Sequence, residues 1–318
     1  EMAAALAQAA DETGIALTLL PVFYAHSGFG GKAPDNSQRR FANSLDGFQL
    51  LVDASATALR PLPDGVLGIA PHSLRACTPQ ELAQLIDRAN DQMPIHIHVA
   101  EQIREVEDCL AWSGSRPVEW LLDHVALSER WCLVHATHMT EAEAAGLARS
   151  GAVAGLCPMT EANLGDGLFA ADSFLGAGGS YGIGSDSNIL IDAAAEMRLL
   201  EYGQRLRHHS RNHLSAQPDE SIGGAIFRAS LAGGAKALAA PAELAEGHPA
   251  DIVSLNVEHP SLTGRNGDGW LDGWIFAARN DAIDCVWRRG RKCVSGGRHI
   301  AREQIIARYR TRLTDLLD

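Results

Sequence analysis

No Cys-x-x-Cys pair occurs in the chain, and no apolar run approaches the roughly 20 residues of a membrane-spanning helix. Blocks rich in Lys and Arg are missing as well. With 27 Lys+Arg against 39 Asp+Glu the net charge is −12. A surface that tracks the phosphates of nucleic acid or an anionic membrane needs clustered cations, so neither partner is expected. The mild basic stretch His208, His209 and Arg211 reads as a solvated helix end. Repeats and low-complexity tracts are absent. The first residues, Glu1-Met2-Ala3-Ala4-Ala5-Leu6, carry no basic region ahead of their apolar ones and read as a helix, not a secretory signal. The six cysteines (Cys77, Cys109, Cys132, Cys157, Cys285 and Cys293) are scattered, several of them in apolar runs. Buried free thiols in a reducing cytoplasm are the expectation.

What is present is alternation. The 318 residues, 46% of them apolar, suffice for one large domain or two modest ones. A helix over 2–13 stops at Gly14. Strands are expected over 15–23, 66–71, up to His98, up to His135, over 153–156 and over 181–185. Helices are expected at about 44–58, 102–112 and 117–125. Two more begin at the capping boxes Thr78-Pro79-Gln80-Glu81 and Thr140-Glu141-Ala142-Glu143. Between the first strand and helix lies a loop with Gly28, Gly30, Gly31 and Pro34, long enough to be functional. Such alternation predicts parallel strands with right-handed crossovers. After about residue 240 the text changes to hairpin patterning, with Ile252 to Leu255, Ile283 to Trp287, a turn at Arg289-Gly290, and Lys292 to Val294. An amphipathic helix over 301–317 places Ile305, Ile306, Tyr309, Leu313 and Leu316 on one stripe.

The chemistry sits at strand ends. Pro94-Ile95-His96-Ile97-His98-Val99-Ala100-Glu101 is a short apolar strand with a carboxylate just beyond it. Side chains i and i+2 share a face, so His96 and His98 point the same way, with His98 nearer the carboxyl end. His135 closes the next strand, and Asp186 closes Gly182-Ile183-Gly184-Ser185-Asp186. In a parallel barrel these ends converge on one mouth. Imidazole and carboxylate together hold a divalent ion, and a second carboxylate moves protons. His98 is therefore expected to be functional, and His96 a core histidine. His72 and Arg75 follow another strand end and face the same mouth. Arg75 is suited to a bidentate grip on a carboxylate.

These motifs resemble the deaminase branch of the amidohydrolase superfamily. The carriers are His98-Val99-Ala100-Glu101, Val134-His135-Ala136-Thr137-His138 and Gly184-Ser185-Asp186-Ser187, with Gly247 to Leu255 similar to the β domain beside the barrel. Pro71-His72-Ser73-Leu74-Arg75, Trp131 to His138, and Thr160-Glu161-Ala162-Asn163-Leu164-Gly165-Asp166-Gly167 look like the formimidoylglutamate deiminases within that branch. The resemblance implies an α/β fold: a distorted TIM-type (β/α) barrel over 1–240, with a small β-sandwich-like domain segment and a C-terminal helix over 241–318. It implies zinc-dependent hydrolysis of N-formimino-L-glutamate, a small acidic amino-acid derivative from histidine degradation, to N-formyl-L-glutamate and ammonia. It also implies a cytoplasmic homodimer.

By the same resemblance His98 and Asp186 are metal ligands, Glu101 carries protons to the departing ammonia, and Asp186 also accepts the water proton. His135 polarises the substrate or orients the water. His72 and Arg75 bind the substrate, and Asn163 and Asp166 line the entrance. One element of the pattern has no counterpart. The His-x-His of the first barrel strand is absent, since His96-x-His98 matches the fifth strand. Only about six barrel strands are readable where a closed barrel has eight. The expectation is a barrel incomplete at its N-terminus, with two zinc-binding histidines missing. Two other readings stay open: a related deaminase acting on a neutral heterocycle such as guanine, which has no need of Arg75, and a non-catalytic, decayed barrel.

Overall fold

The computed structural model of this chain describes residues 1–188, 190–215, 220–241 and 243–317. The helix Met2–Thr13 ends where Gly14 takes a left-handed φ of 78° and returns its N–H to the Ala10 carbonyl, a conformation open chiefly to glycine. Then come the short strands β1 (Thr18–Leu19) and β2 (Val22–Phe23), and after the helix Leu45–Leu59, β3 (Val66–Leu67) and β4 (Ala70–Pro71). Each pair stands where the patterning predicts one longer strand. The amides of Val66, Gly68, Ala70 and His72 donate in turn to the carbonyls of Leu17, Leu19, Pro21 and Phe23, an unbroken series from one side. Pro21 has no N–H to return, and the pairing is interrupted there.

The strands β5 (Ile95–Val99), β6 (Trp131–His135), β7 (Val153–Leu156) and β8 (Ser180–Ile183) follow, parallel and in chain order. The amides of Ile69, His96 and His98 donate to the carbonyls of Pro94, Ile69 and His72, which joins the β3–β4 stretch to β5. The described residues thus form an arc of six consecutive barrel positions. Outside it, Ile95, Ile97, Val99, Leu133 and Leu156 are buried with Leu82, Val106, Leu121 and Leu147 of the crossover helices in one continuous core. Both predicted capping boxes are formed. Thr78 Oγ1 accepts from Glu81 N while Glu81 accepts from Thr78 N, and Thr140 and Glu143 do the same.

The helix Ile222–Ala237 lies against β8 at a distance only glycine permits, since a Cβ on Gly233 would sit 1.9 Å from the Tyr181 carbonyl oxygen. Its end reaches two further strands. Ala237 O accepts from His96 Nε2 at 2.8 Å, and Leu238 O from Thr18 Oγ1 at 2.8 Å. His96 is thus hydrogen-bonded in the core.

The tail forms one antiparallel sheet of β9 (Ile252–Leu255), β10 (Ile283–Arg288), β11 (Arg291–Ser295) and β12 (Arg298–His299), in the order β12-β11-β10-β9. Arg289 and Gly290 make its two-residue turn, both at positive φ. Arg288 pairs with Asp251 just before β9 and ties the sheet to the barrel side through an ion pair with Asp64. Between β9 and β10 the chain adds a helix that hairpin patterning misses, Gly269–Ala277. It packs on the barrel helices: Arg198 donates to the carbonyls of Ile275 and Ala278, and Gly223 N donates to Asp272. The final helix, Arg302–Leu317, forms as predicted, but none of its residues is buried.

Candidate active site

Three strand ends carry residues with left-handed backbone: Ala100 after β5, His135 and Ala136 at the end of β6, and Asp186 after β8, with φ of 50°, 68°, 47° and 51°. Non-glycine residues rarely hold such angles, and they cluster at functional sites. His98 lies among them. Its Nδ1 donates to the His72 carbonyl at 2.8 Å, which fixes the tautomer and leaves a lone pair on Nε2, as a metal ligand requires. Its ring centroid lies 4.9 Å from His72 and 5.8 Å from His135. Burial, above all, pushes its pKa down, so the ring is held neutral.

His135 is buried, with Nδ1 3.3 Å from Glu161 Oε1 and Nε2 3.7 Å from Glu101 Oε1. Burial works against its charge, but the hydrogen bond to Glu161 and the charges of Glu101, Glu161 and Asp186 outweigh it. Its pKa is raised. Glu161 is held in turn by the amide of Cys157 at 2.9 Å.

Arg75 stands between two carboxylates, its Nη2 3.9 Å from Glu101 Oε2 and 3.9 Å from Glu105 Oε2. Its buried Nε has no hydrogen-bond partner among the described residues. Glu105 accepts from the amides of Ala100 and Glu101, both at 3.1 Å. It thereby fixes the left-handed turn that presents Glu101. Burial raises the Glu105 pKa, and Arg75 opposes the shift. His72 packs edge-on to Tyr24, with Nδ1 3.1 Å from Ser73 Oγ. Burial, with the charges of His98 and Arg75, pushes its pKa down to about 3, so His72 is a neutral group. Beside Arg75 opens a cavity of about 630 Å³ lined by Phe29, Lys32, Gln102, Glu105 and Trp112, among others. Lys32 comes from the glycine-rich loop, which folds back on itself through a Gly28–Lys32 bridge.

Two more acids belong to this mouth. Asp166 is buried, its Oδ2 has no hydrogen-bond partner among the described residues, and its pKa is raised by burial and by the charge of Glu101. Glu196 is buried behind the mouth and accepts from Met159 N at 2.8 Å, and its Oε1 has no partner among the described residues. Burial, with the charges of Glu161, Asp192 and Asp186, pushes its pKa up to about 7. Asp186 is exposed, and its charge is felt by both His98 and His135. Asn163, by contrast, faces solvent on the helix Pro158–Leu164. Sequence reasoning names His72, Arg75, His98, Glu101, His135 and Asp186, and misses Glu105, Glu161, Glu196 and Tyr24. Glu161 stands inside a quoted motif. Glu105 gives only the faint signal of a carboxylate four residues beyond Glu101.

The donors suit a divalent ion in kind. His98 offers an imidazole in the right tautomer, and Asp186 a carboxylate. They do not close a site in number, because among the described residues no three donors that include either of them lie within 4.8 Å of one another.

Over residues 2–293 the chain matches the Amidohydrolase family. It is 47% identical, along its full length, to the formimidoylglutamate deiminase of Pseudomonas aeruginosa, of which it covers 70%. It is 31% identical, over 62% of its length, to the 5-methylthioadenosine/S-adenosylhomocysteine deaminase of Nitratidesulfovibrio vulgaris, of which it covers 44%. Among solved structures, an amidohydrolase from Brucella melitensis superimposes with a TM-score of 0.94 at 52% identity, across all of this chain and 70% of that one. An adenosine deaminase from Xanthomonas campestris with bound zinc superimposes with a TM-score of 0.80 over 98% of this chain and 70% of that one; at 23% identity this likeness shows the fold alone.

Proposed function

The chain belongs to the amidohydrolase family, and from that premise we propose that its protein hydrolyses N-formimino-L-glutamate to N-formyl-L-glutamate and ammonia, the reaction of the enzyme named for its Pseudomonas relative. The observation that carries this reading is Arg75, a cation with an unpartnered buried Nε set beside Glu101 and a cavity that also receives Lys32. An acidic substrate answers those charges, and a neutral heterocycle does not.

In the reaction, the oxygen of water bonds to the formimino carbon, the bond from that carbon to the terminal nitrogen breaks, and ammonia leaves. His98 Nε2 and Asp186 are the ligands this chain offers to a zinc ion, which when bound supplies Lewis-acid activation of water. Glu101 carries a proton to the departing nitrogen. Asp186 accepts the proton that water gives up. His135, its pKa raised by Glu161 and Glu101 against burial, polarises the substrate. Arg75 grips a substrate carboxylate, and neutral His72 donates or accepts beside it. Asp166 borders the entrance. The barrel machinery is assigned to 1–240 and the tail to 241–318. Six buried free thiols support a cytoplasmic setting, and no helix of the described residues is long and apolar enough to cross a membrane. A homodimer completes the reading.

The test is ammonia release by the whole protein, zinc-loaded, from N-formimino-L-glutamate and from guanine. Turnover of the first alone is the expected outcome. Turnover of guanine alone would move the assignment to the heterocycle deaminases.

A further inference from the structure

We propose that Asp172, His208 and His213 form a second divalent-metal site, of the zinc class, on the outside of the barrel. His208 Nε2 lies 3.0 Å from Asp172 Oδ2, and His213 Nδ1 lies 3.5 Å from Asp172 Oδ1. One ligand atom from each residue falls within 4.8 Å of the other two, and this is the sole such set of three among the described residues. A tetrahedral zinc with bonds of about 2.0–2.2 Å holds its ligand atoms roughly 3.3–3.6 Å apart. Small rotations of the exposed Asp172 and His208 side chains close the remaining gap. Two imidazoles and one carboxylate are a borderline donor set that favours zinc over calcium or magnesium, and three ligands leave a fourth position for water.

The three donors come from separate segments. Asp172 lies in the first turn of the helix Ala171–Gly176, His208 ends the helix Ala193–His208, and His213 stands in the loop beyond. That loop is held in shape. His209 and Asn212 take left-handed φ of 53° and 61°. The amides of His213 and Leu214 donate to Glu201, at 3.1 and 3.0 Å, and Glu201 is fully buried and paired with Arg205. The imidazoles therefore meet with centroids 4.5 Å apart. Ser210 Oγ bonds to His213 Nε2. In the tautomer that donates from Nε2 to Ser210, Nδ1 is free for a metal, with Ser210 as its outer-sphere partner. His208 is thus drawn to Asp172 and His213, away from the basic grouping with Arg211 that the sequence suggests.

A metal here would tie the helix Ala171–Gly176 to the end of the helix Ala193–His208. Arg207 already bonds the same helix end to the carbonyls of Leu168 and Phe169. The segment between, 165–170, carries Asp166 of the mouth.

The test is calorimetric titration of the chelator-stripped whole protein with zinc chloride, together with thermal unfolding. The wild type should bind one zinc that His98→Ala keeps and that His208→Ala and His213→Ala each lose, and that zinc should raise the unfolding temperature. Ser210→Ala should weaken this site by roughly 10-fold without abolishing it. Asp172→Asn, which keeps size and shape, guards against a folding defect and should also weaken it. If zinc stoichiometry and the zinc-induced shift are the same in wild type, His208→Ala and His213→Ala, the cluster is an ion-pair group only and the proposal fails.

Discussion

Arg75 and Glu101 stand 3.9 Å apart and are assigned opposite tasks, so their substitutions separate cleanly. Arg75→Met keeps length and loses the charged fork. A charge-assisted bond to a desolvated carboxylate is worth about 2–4 kcal/mol, so kcat/KM on the formimino substrate should fall roughly 30- to 1000-fold. Zinc content should hold. Glu101→Gln keeps shape and removes a proton carrier, and should lower kcat with little change in ground-state binding. Steady-state kinetics with metal analysis reads both; near-normal kcat/KM in Arg75→Met would sink the acidic-substrate assignment. Glu161 makes a third case. Its hydrogen bond holds the His135 pKa above the ordinary histidine value. In Glu161→Gln the His135 ring should titrate lower, and an NMR titration of its carbon-bound protons would detect the change. An unchanged midpoint would mean that the charges of Glu101 and Asp186 suffice to hold the pKa up. At this scale the sequence is legible where a residue closes a strand, as His98 and His135 do. It is silent on Glu105 and Glu161, because nothing in local patterning says which helical carboxylate folds back onto a strand end. Alternation alone would also put His135 on the face opposite Val134. The left-handed backbone at 135 changes its aim, and no pattern announces that.

The helix Ile222–Ala237 offers a contrast at the scale of elements. Gly233 and Gly234 are neighbours in sequence, yet a Cβ on Gly233 meets the Tyr181 carbonyl at 1.9 Å, while one on Gly234 meets nothing within 4 Å. Backbone cannot yield as a flexible side chain does. Gly233→Ala should therefore destabilise by about 1–3 kcal/mol or more. Gly234→Ala relieves the helix of a flexible residue and should be neutral or stabilising by up to about 1 kcal/mol. Urea denaturation of the two variants gives the comparison, and equal losses would mean that the helix does not rest on β8 as described. Strands and capped helices were readable because period and caps are local signals, and Gly14, Thr78 and Thr140 act as the patterning predicts. The break at Pro21 and the helix Gly269–Ala277 were not. The first depends on which neighbour asks for the missing N–H. In the second, Trp274 and Ile275 bury against barrel helices distant in sequence.

For the molecule as a whole, the crowding of acids at one mouth makes stability depend on pH, and the groups pull in two directions. His72, His96 and His98 resist protonation in the folded state. The unfolded chain takes those protons near the ordinary histidine pKa, so these three lower stability as pH falls through about 6.5. Glu196 does the reverse. Its folded pKa, pushed up to about 7, exceeds the unfolded value of a glutamate. Between those two values the folded protein holds a proton that the unfolded chain has released. Glu196 therefore favours folding at the acidic end of this window, and that support is lost as pH rises through about 7. Above it, a buried carboxylate with one unpartnered oxygen faces the charges of Glu161, Asp192 and Asp186. Glutamine keeps the bond from Met159 N and cannot ionise. Glu196→Gln should thus differ little from wild type near pH 5 and be the more stable protein at pH 8, with urea midpoints at the two values as the measurement. The histidine contributions are common to both proteins and cancel in the difference. A wild-type advantage at pH 8 would mean that the Glu196 charge is compensated by a cation at the mouth, and repeating the pair with chelator present would reveal whether that cation is a metal.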